Sequence, residues 1–402
     1  MTELWATASF WIALALIAGL LSILLRVATA LSEISVGMFA QLIIGALLAP
    51  LLPSVNADWI KFLAGTGAIL ITFLAGAELD PDVFKRKWKE ATGIGLIGFF
   101  APFLGCAAAA FYLLHWSVHA SWLAGVALST TSVAVVYAVM LEFGLNRTEY
   151  GKTVLAACFI NDLGTVLALG FLFAPFDWKT LVFAVVTIVV CVSLPMLTRF
   201  FFRKFGGRPS ELEAKYLLLV LFGLGALAAW AGSEAVLPAY LIGMALAGTV
   251  GRDHALVRRL RTLTFGLLTP FYFIRAGSFV SLTALASAPL AFVLLFCAKM
   301  ATKFAGIYPA TIYYKSPRQE RMYTTLLMST GLTFGSISAL YGLSHDIIDQ
   351  TQYSYLIAAV IGSAVVPTLI ANAFFLPRHL LPQDMSAEER EAAAAAIADE
   401  DA

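Results

Sequence analysis

The chain has 402 residues, 60% of them hydrophobic, with a formal net charge of +1 and four cysteines. Soluble domains run about 45–50% apolar, so the composition excludes an ordinary soluble protein and points to a polytopic membrane protein. The near-zero charge excludes the basic footprint of a nucleic-acid binder.

In chain order, apolar stretches define about thirteen membrane-crossing helices: 5–31, 36–52, 59–79, 91–115, 121–141, 151–173, 178–202, 212–232, 236–250, 263–282, 289–313, 322–343 and 353–376. The first run is too long for a signal-peptide core and shows no small-residue cleavage site, so it reads as a retained helix. Charge sets the orientation. Lys85, Arg86, Lys87 and Lys89 follow the third span, Arg203, Lys204 and Arg208 the seventh, Arg252, Arg258, Arg259 and Arg261 the ninth, and Lys315, Arg318 and Arg321 the eleventh. Loops on the other side, such as 53–58, 115–119 and 344–352, carry no Lys or Arg. The positive-inside rule then expects the N-terminus outside and the C-terminus in the cytoplasm. Residues 1–382 read as one transmembrane domain, and 383–402 as a short acidic cytoplasmic tail. Gly223-Leu224-Gly225 has no strand before it and is packing glycine rather than a phosphate loop. Cys106, Cys158, Cys191 and Cys297 fall in apolar runs without metal-ligand spacing and read as small packing residues. His115, His119, His254, His345 and His379 lie at or near loops and read as solvated side chains.

Four polar interruptions share one depth. Asn161-Asp162 lies in the sixth span, with Asp162 ten residues past Lys152 and so ~15 Å into a hydrocarbon core of ~30 Å. A carboxylate there costs roughly 2.5–3.5 kcal/mol on insertion scales and ordinarily lines a bundle interior or an ion path. Ser129-Thr130-Thr131-Ser132 interrupts the fifth span, Ser329-Thr330-Gly331-Leu332-Thr333 the twelfth, and Lys299 sits in the eleventh, each ~14–15 Å from a membrane face. Ser and Thr can simply bond back to a preceding turn. Two such runs level with an Asp and a Lys instead match broken helices at a transporter's mid-membrane site. The fifth span runs inward and the twelfth outward. The expected fold is therefore all-α, with two inverted six-helix repeats, crossed and broken fifth and twelfth helices, and the seventh helix (178–202) as linker. A lone ammonium in hydrocarbon is costly, so an Asp162–Lys299 ion pair is expected, with Lys303 as the other candidate partner. Arg275 reads as a further interior charge, with Glu78 and Glu234 near span ends.

These residues resemble the second family of monovalent cation:proton antiporters. Phe73-Leu74-Ala75-Gly76-Ala77-Glu78-Leu79-Asp80-Pro81 is similar to that family's signature. Asn161-Asp162 matches its paired polar position, Thr131-Ser132 its unwound fifth helix, and Lys299 followed by Phe304 and Gly306 its basic eleventh helix. The resemblance covers about residues 5–380. It implies a homodimer in the bacterial inner membrane, with a scaffold domain from helices about 5–80 and 212–282. It also implies a core ion-transport domain from helices about 91–173 and 289–376. The expected activity is exchange of Na⁺ or K⁺ for H⁺ by alternating access, serving pH homeostasis. The proton and the cation (Na⁺, K⁺ or Li⁺) would compete for Asp162, with Asn161, Thr130, Thr131 and Ser132 around it and Asp162 and Thr131 as metal contacts. Glu78, Arg275, Thr330 and Gly331 are secondary candidates. An Asn-Asp pair is commoner in electroneutral members, so one proton per cation is the expectation, although such members usually carry Arg where this chain has Lys299. Cys158 stands one turn before Asp162, where some members have Ser. No cofactor is implied, and lipids, cations and protons are the expected partners. The rival reading is a sodium-coupled organic-anion symporter of similar fold. An intramembrane aspartyl protease would need two facing carboxylates, and a potassium channel would show single-channel currents.

Overall fold

A computed structural model describes residues 2–25, 29–47, 57–77, 81–145, 148–173, 177–208, 210–233, 235–251, 253–281, 286 and 289–381. Glu78, Glu234 and the acidic tail 383–402 lie outside them. Among the described residues the architecture is helical: α1 Thr2–Leu25, α2 Thr29–Leu47, α3 Asp58–Ala77, α4 Pro81–Tyr112, α5 Val118–Ser129, α6 Val133–Glu142, α7 Glu149–Phe173 and α8 Trp178–Phe205. There follow α9 Leu212–Trp230, α10 Val236–Leu246, α11 His254–Leu263, α12 Thr269–Ser278, α13 Pro289–Tyr313, α14 Arg318–Met328, α15 Thr333–Ser344 and α16 Gln350–Phe374. Nine segments among these residues are long and apolar enough to cross a membrane, with α14 and α15 taken together as one of them. The shorter α2, α5 and α10 are apolar too. Each predicted span has a helical counterpart.

Three boundaries differ from the expectation, each for a physical reason. The run 5–31 carries a single charge, Arg26, too little to mark a boundary by hydropathy, yet α1 ends at Leu25 and α2 begins at Thr29. The fourth helix starts ten residues earlier than the expected 91, because Pro81, pre-set for a first helical turn, opens a basic lead-in. That lead-in joins the apolar part at a kink, where Lys87 leaves helical geometry (φ −111°, ψ 20°). The tenth span is preceded by α11, an amphipathic helix whose Leu256 and Leu260 are buried while its arginines make it too polar to register as apolar. The Asp253 side chain caps it by accepting from the Leu256 N–H at 3.0 Å, and a π-helical turn, Thr264–Leu268, leads on to α12.

Packing follows the inverted repeat. α3 lies along α10 and α2 along α12, while α4 packs against α5, α7 and α13, and α16 packs against α13, α14 and α15. The first two contacts are backbone-close and need glycine. A Cβ at Gly76 or Gly243 would run into the facing backbone of α10 or α3, and one at Gly37 or Gly277 into that of α12 or α2. Exchanging the two halves maps α3–α10 onto α12–α2, the relation an inverted repeat requires.

Candidate functional site

The fifth and twelfth spans are broken where the sequence is polar. α5 ends at Ser129, Thr130 is extended (φ −61°, ψ 151°), and α6 begins at Val133. α14 ends at Met328 and α15 begins after Leu332 (φ −148°, ψ −74°). The breaks are bonded to each other. The Ser132 N–H donates to the Thr330 carbonyl at 3.2 Å, and the Thr131 hydroxyl donates to the Met328 carbonyl at 2.7 Å. Two helix C-termini and two N-termini therefore meet inside the protein, each with partial charge and free backbone groups. Four other hydroxyls fold back on their own helices: Ser129 to Val126 (2.8 Å), Thr130 to Ala127 (3.2 Å), Thr330 to Leu327 (2.7 Å) and Ser329 to Thr325 (2.6 Å). Of the hydroxyls in the two runs, Thr131 is the one whose bond crosses between the breaks.

Asn161 and Asp162 sit mid-way along α7, 0% and 1% exposed. Both polar atoms of the Asn161 amide, and Asp162 Oδ1, have no hydrogen-bond partner among the described residues. Gly98 of α4 faces the Asn161 amide, where a Cβ would make only ordinary contact with Nδ2, at 3.5 Å. A buried carboxylate oxygen with no donor is costly, so this position favours whatever supplies positive charge, a proton or a cation.

The two lysines divide between the two breaks. Both are fully buried on α13, one turn apart. Lys303 Nζ donates to the Thr131 hydroxyl at 2.9 Å, serving the first break. Lys299 Nζ donates to Ser363 Oγ of α16 at 2.9 Å and lies against Gly331 in the second break. Ser363 in turn donates to the Val360 carbonyl at 2.8 Å and approaches that of Gly331 at 3.4 Å. The expected Asp162–Lys299 ion pair is therefore absent. Asp162 makes no ion pair among the described residues, and of the two lysines Lys303 is the one within electrostatic reach of it. Residue spacing gave the depth of Lys299 but not which way it faces around its helix.

Arg275 lies away from this cluster. Its guanidinium stacks over Phe279, 4.9 Å from the ring centroid. It lines a cavity of about 200 Å³ with Lys61, Ala68, Tyr272, Ile337 and Tyr341, between α3 and α12 on one side and α15 on the other. Three contributors escaped the sequence reading. Ser363 holds the same place along α16 as Asp162 does along α7, both helices being 25 residues long, and following the repeat one span further would have found it. The Met328 carbonyl and thioether, and Tyr240, had no signal. Tyr240 of α10 is fully buried and donates to the Phe159 carbonyl of α7 at 2.8 Å, close to Asp162.

A mid-membrane crossing of two broken helices, related by an inverted repeat and flanked by a buried carboxylate and two buried lysines, is the architecture of a secondary transporter. The family model "Sodium/hydrogen exchanger, transmembrane" matches residues 12–376, and the chain belongs to that family. It is 24% identical over 353 residues to Cation/H(+) antiporter 18 of Arabidopsis thaliana, covering 83% of this chain and 43% of that protein. It is 27% identical over 384 residues to the glutathione-regulated potassium-efflux system protein KefC of Shigella sonnei (strain Ss046), covering 88% of this chain and 58% of that one. The chain thus spans about half the length of these relatives. Its fold is similar to that of the sodium proton antiporter MjNhaP1 from Methanocaldococcus jannaschii, with TM-score 0.67 and 17% identity over 92% of this chain and 97% of the other.

Proposed function

We propose that this chain exchanges a monovalent alkali cation for a proton across a membrane, both competing for Asp162. The observation that carries this is the isolation of that carboxylate: buried, without a protein donor on Oδ1, beside two broken helix ends and one buried lysine. Carboxylate and backbone-carbonyl oxygens suit hard cations. In the exchange, Asp162 holds the proton or the cation but never both, Asn161 offers its unbonded amide to the ion or its water, and Thr131 faces the ion between Met328 and Lys303. Lys303 holds positive charge near the empty carboxylate, and Lys299 secures the second break. One titrating carboxylate gives one proton per cation, hence electroneutral exchange of Na⁺, K⁺ or Li⁺.

In this reading the helices α1–α3 and α9–α12 form a scaffold and a dimer contact, α8 links the halves, and α4–α7 with α13–α16 move as a core. The cavity between α3, α12 and α15 is then the approach to the site from one face. The distribution of basic loops supports an outside N-terminus and a cytoplasmic C-terminus in a bacterial inner membrane. Proteoliposomes carrying a pH dye and challenged with Na⁺, K⁺ or Li⁺ test the proposal. A cation-driven proton flux, unaffected by clamping the membrane potential and lost in Asp162→Asn, supports it. A flux that persists in that variant, or solute uptake with Na⁺ and no proton movement, overturns it.

A further inference from the structure

A pair of sulfur atoms stands beside the proposed exchange site, and that exchange does not use them. Cys158 precedes Asp162 by one turn on the same helix, and the two groups act on each other electrostatically. The Cys158 thiol donates to the Met328 thioether across the α7–α14 contact, with Sγ and Sδ 3.4 Å apart. Both residues are fully buried. Asp162 Oδ1, without a protein partner and 1% exposed as a residue, lies on the same face. Met328 also places its backbone carbonyl on the Thr131 hydroxyl at 2.7 Å, so its side chain leaves from the broken end of α14. A thiol, a thioether and a carboxylate thus converge where the family resemblance leads one to expect oxygen donors alone.

Donor type decides which cations such a set can hold. Thiolate and thioether sulfurs bind soft d¹⁰ cations such as Cu(I), whereas hard alkali ions prefer oxygen. We propose that Cys158 and Met328, with Asp162 one turn away, form a binding site for soft monovalent metal cations of the Ag⁺ and Cu⁺ class. The metal takes the place of the proton that now lies between the two sulfurs. The Cys158 S–H bond breaks, an S–metal bond forms, the thioether donates a lone pair from the other side, and the released proton passes to the Asp162 carboxylate. Set in line on either side of the metal, two metal–sulfur bonds of at least ~2.3 Å, the length of a zinc–sulfur bond, need the sulfurs to spread from 3.4 Å to ~4.6 Å. The unbranched Met328 side chain has the rotamer freedom to do so. The site holds one univalent ion, and filling it puts a proton on Asp162 and blocks exchange there. Binding stands by itself; only the block of transport rests on the exchange reading above.

The test uses the detergent-solubilised full chain with Cys106, Cys191 and Cys297 changed to Ala, so that Cys158 is the sole thiol, titrated with AgNO₃ in chloride-free buffer. Bound silver is counted by mass spectrometry and its neighbours by X-ray absorption. The expected result is one Ag⁺ per chain with two sulfur neighbours. Met328→Leu should leave one sulfur neighbour and weaken binding at least tenfold, and Cys158→Ser should abolish binding. Cys158→Ala serves in its place if the serine variant does not fold. A single sulfur neighbour in the Cys158-only chain, or an unchanged affinity in Met328→Leu, overturns the site. A chain that binds Ag⁺ through both sulfurs yet shows no cation-driven proton flux counts against the exchange reading alone. Alkali-driven exchange without two-sulfur silver binding counts against this site alone.

Discussion

Asp162 and Lys303 carry the account at the scale of single residues. Lys303 is the ammonium that acts on the carboxylate, while Lys299 is spent on Ser363 and Gly331. The two lysines, alike in type and burial, should therefore behave differently when replaced. A cation bound at Asp162, as proposed, would be repelled by a charged Lys303. Unit charges at 4 Å interact by ~4 kcal/mol in surroundings of effective dielectric ~20, and less with distance. Lys303→Met should then lower the half-saturating cation concentration by about tenfold, measured at a pH high enough that protons do not compete. Lys299→Met should change it less than threefold while lowering the thermal midpoint of the detergent-solubilised protein, because its cost is a lost buried charged hydrogen bond of about 1.5–3 kcal/mol. Equal shifts for both lysines would show that the division between breaks has no functional weight. The sequence showed that Asp162, Lys299 and the two Ser/Thr runs were level, because depth follows from counting residues at a fixed rise. It did not show which lysine faces Asp162, since rotation about the helix axis is set by packing against neighbours.

Broken helices explain why small and hydroxylated residues sit where they do. Thr131 satisfies two buried groups at once, donating to the Met328 carbonyl and accepting from Lys303. Thr131→Ala strands both, at a cost of about 1–3 kcal/mol for a buried group left unsatisfied, and Thr131→Ser should recover most of it. Differential scanning of both variants measures this, and an alanine variant as stable as native protein would remove Thr131 from its bridging role. Glycines give a second contrast. A Cβ at Gly331 would strike the Lys299 ammonium and come within 2.8 Å of Thr130 Oγ1, whereas at Gly362 the nearest atom is 3.4 Å away on Phe296. Gly331→Ala should lower the thermal midpoint by several degrees, and Gly362→Ala should leave it close to native. Polar runs within apolar spans made the breaks legible. The amphipathic α11 and the lead-in to α4 were not legible as helices, because a search for apolar runs passes over segments whose apolar residues occupy one face only.

Over the whole molecule the question is what holds α10 against α7 and what must let go. Tyr240, fully buried, reaches from α10 to the Phe159 carbonyl and meets Phe334 of α15 edge-on at 5.5 Å. A core that rocks against a scaffold must break that hydrogen bond. Tyr240→Phe keeps the ring and removes a bond of about 1 kcal/mol, which shifts a two-state equilibrium about fivefold. Single-molecule distances between a dye on α9 and one on α16 should show a larger population of the second conformation, and an unchanged distribution would exclude Tyr240 as a latch. The scaffold and core sets are proposed from resemblance; the structure itself packs α2 and α3 on α12 and α10.

The central claim, that H⁺ and an alkali cation exclude each other at Asp162, is tested most directly by counting protons released as the cation binds. Detergent-solubilised protein in weakly buffered solution is titrated with Na⁺ or K⁺ while pH is recorded. Close to one proton should be released per cation bound at pH values where Asp162 starts protonated, and none in Asp162→Asn. Cation binding without proton release in the native chain, or release that survives in Asp162→Asn, would contradict it.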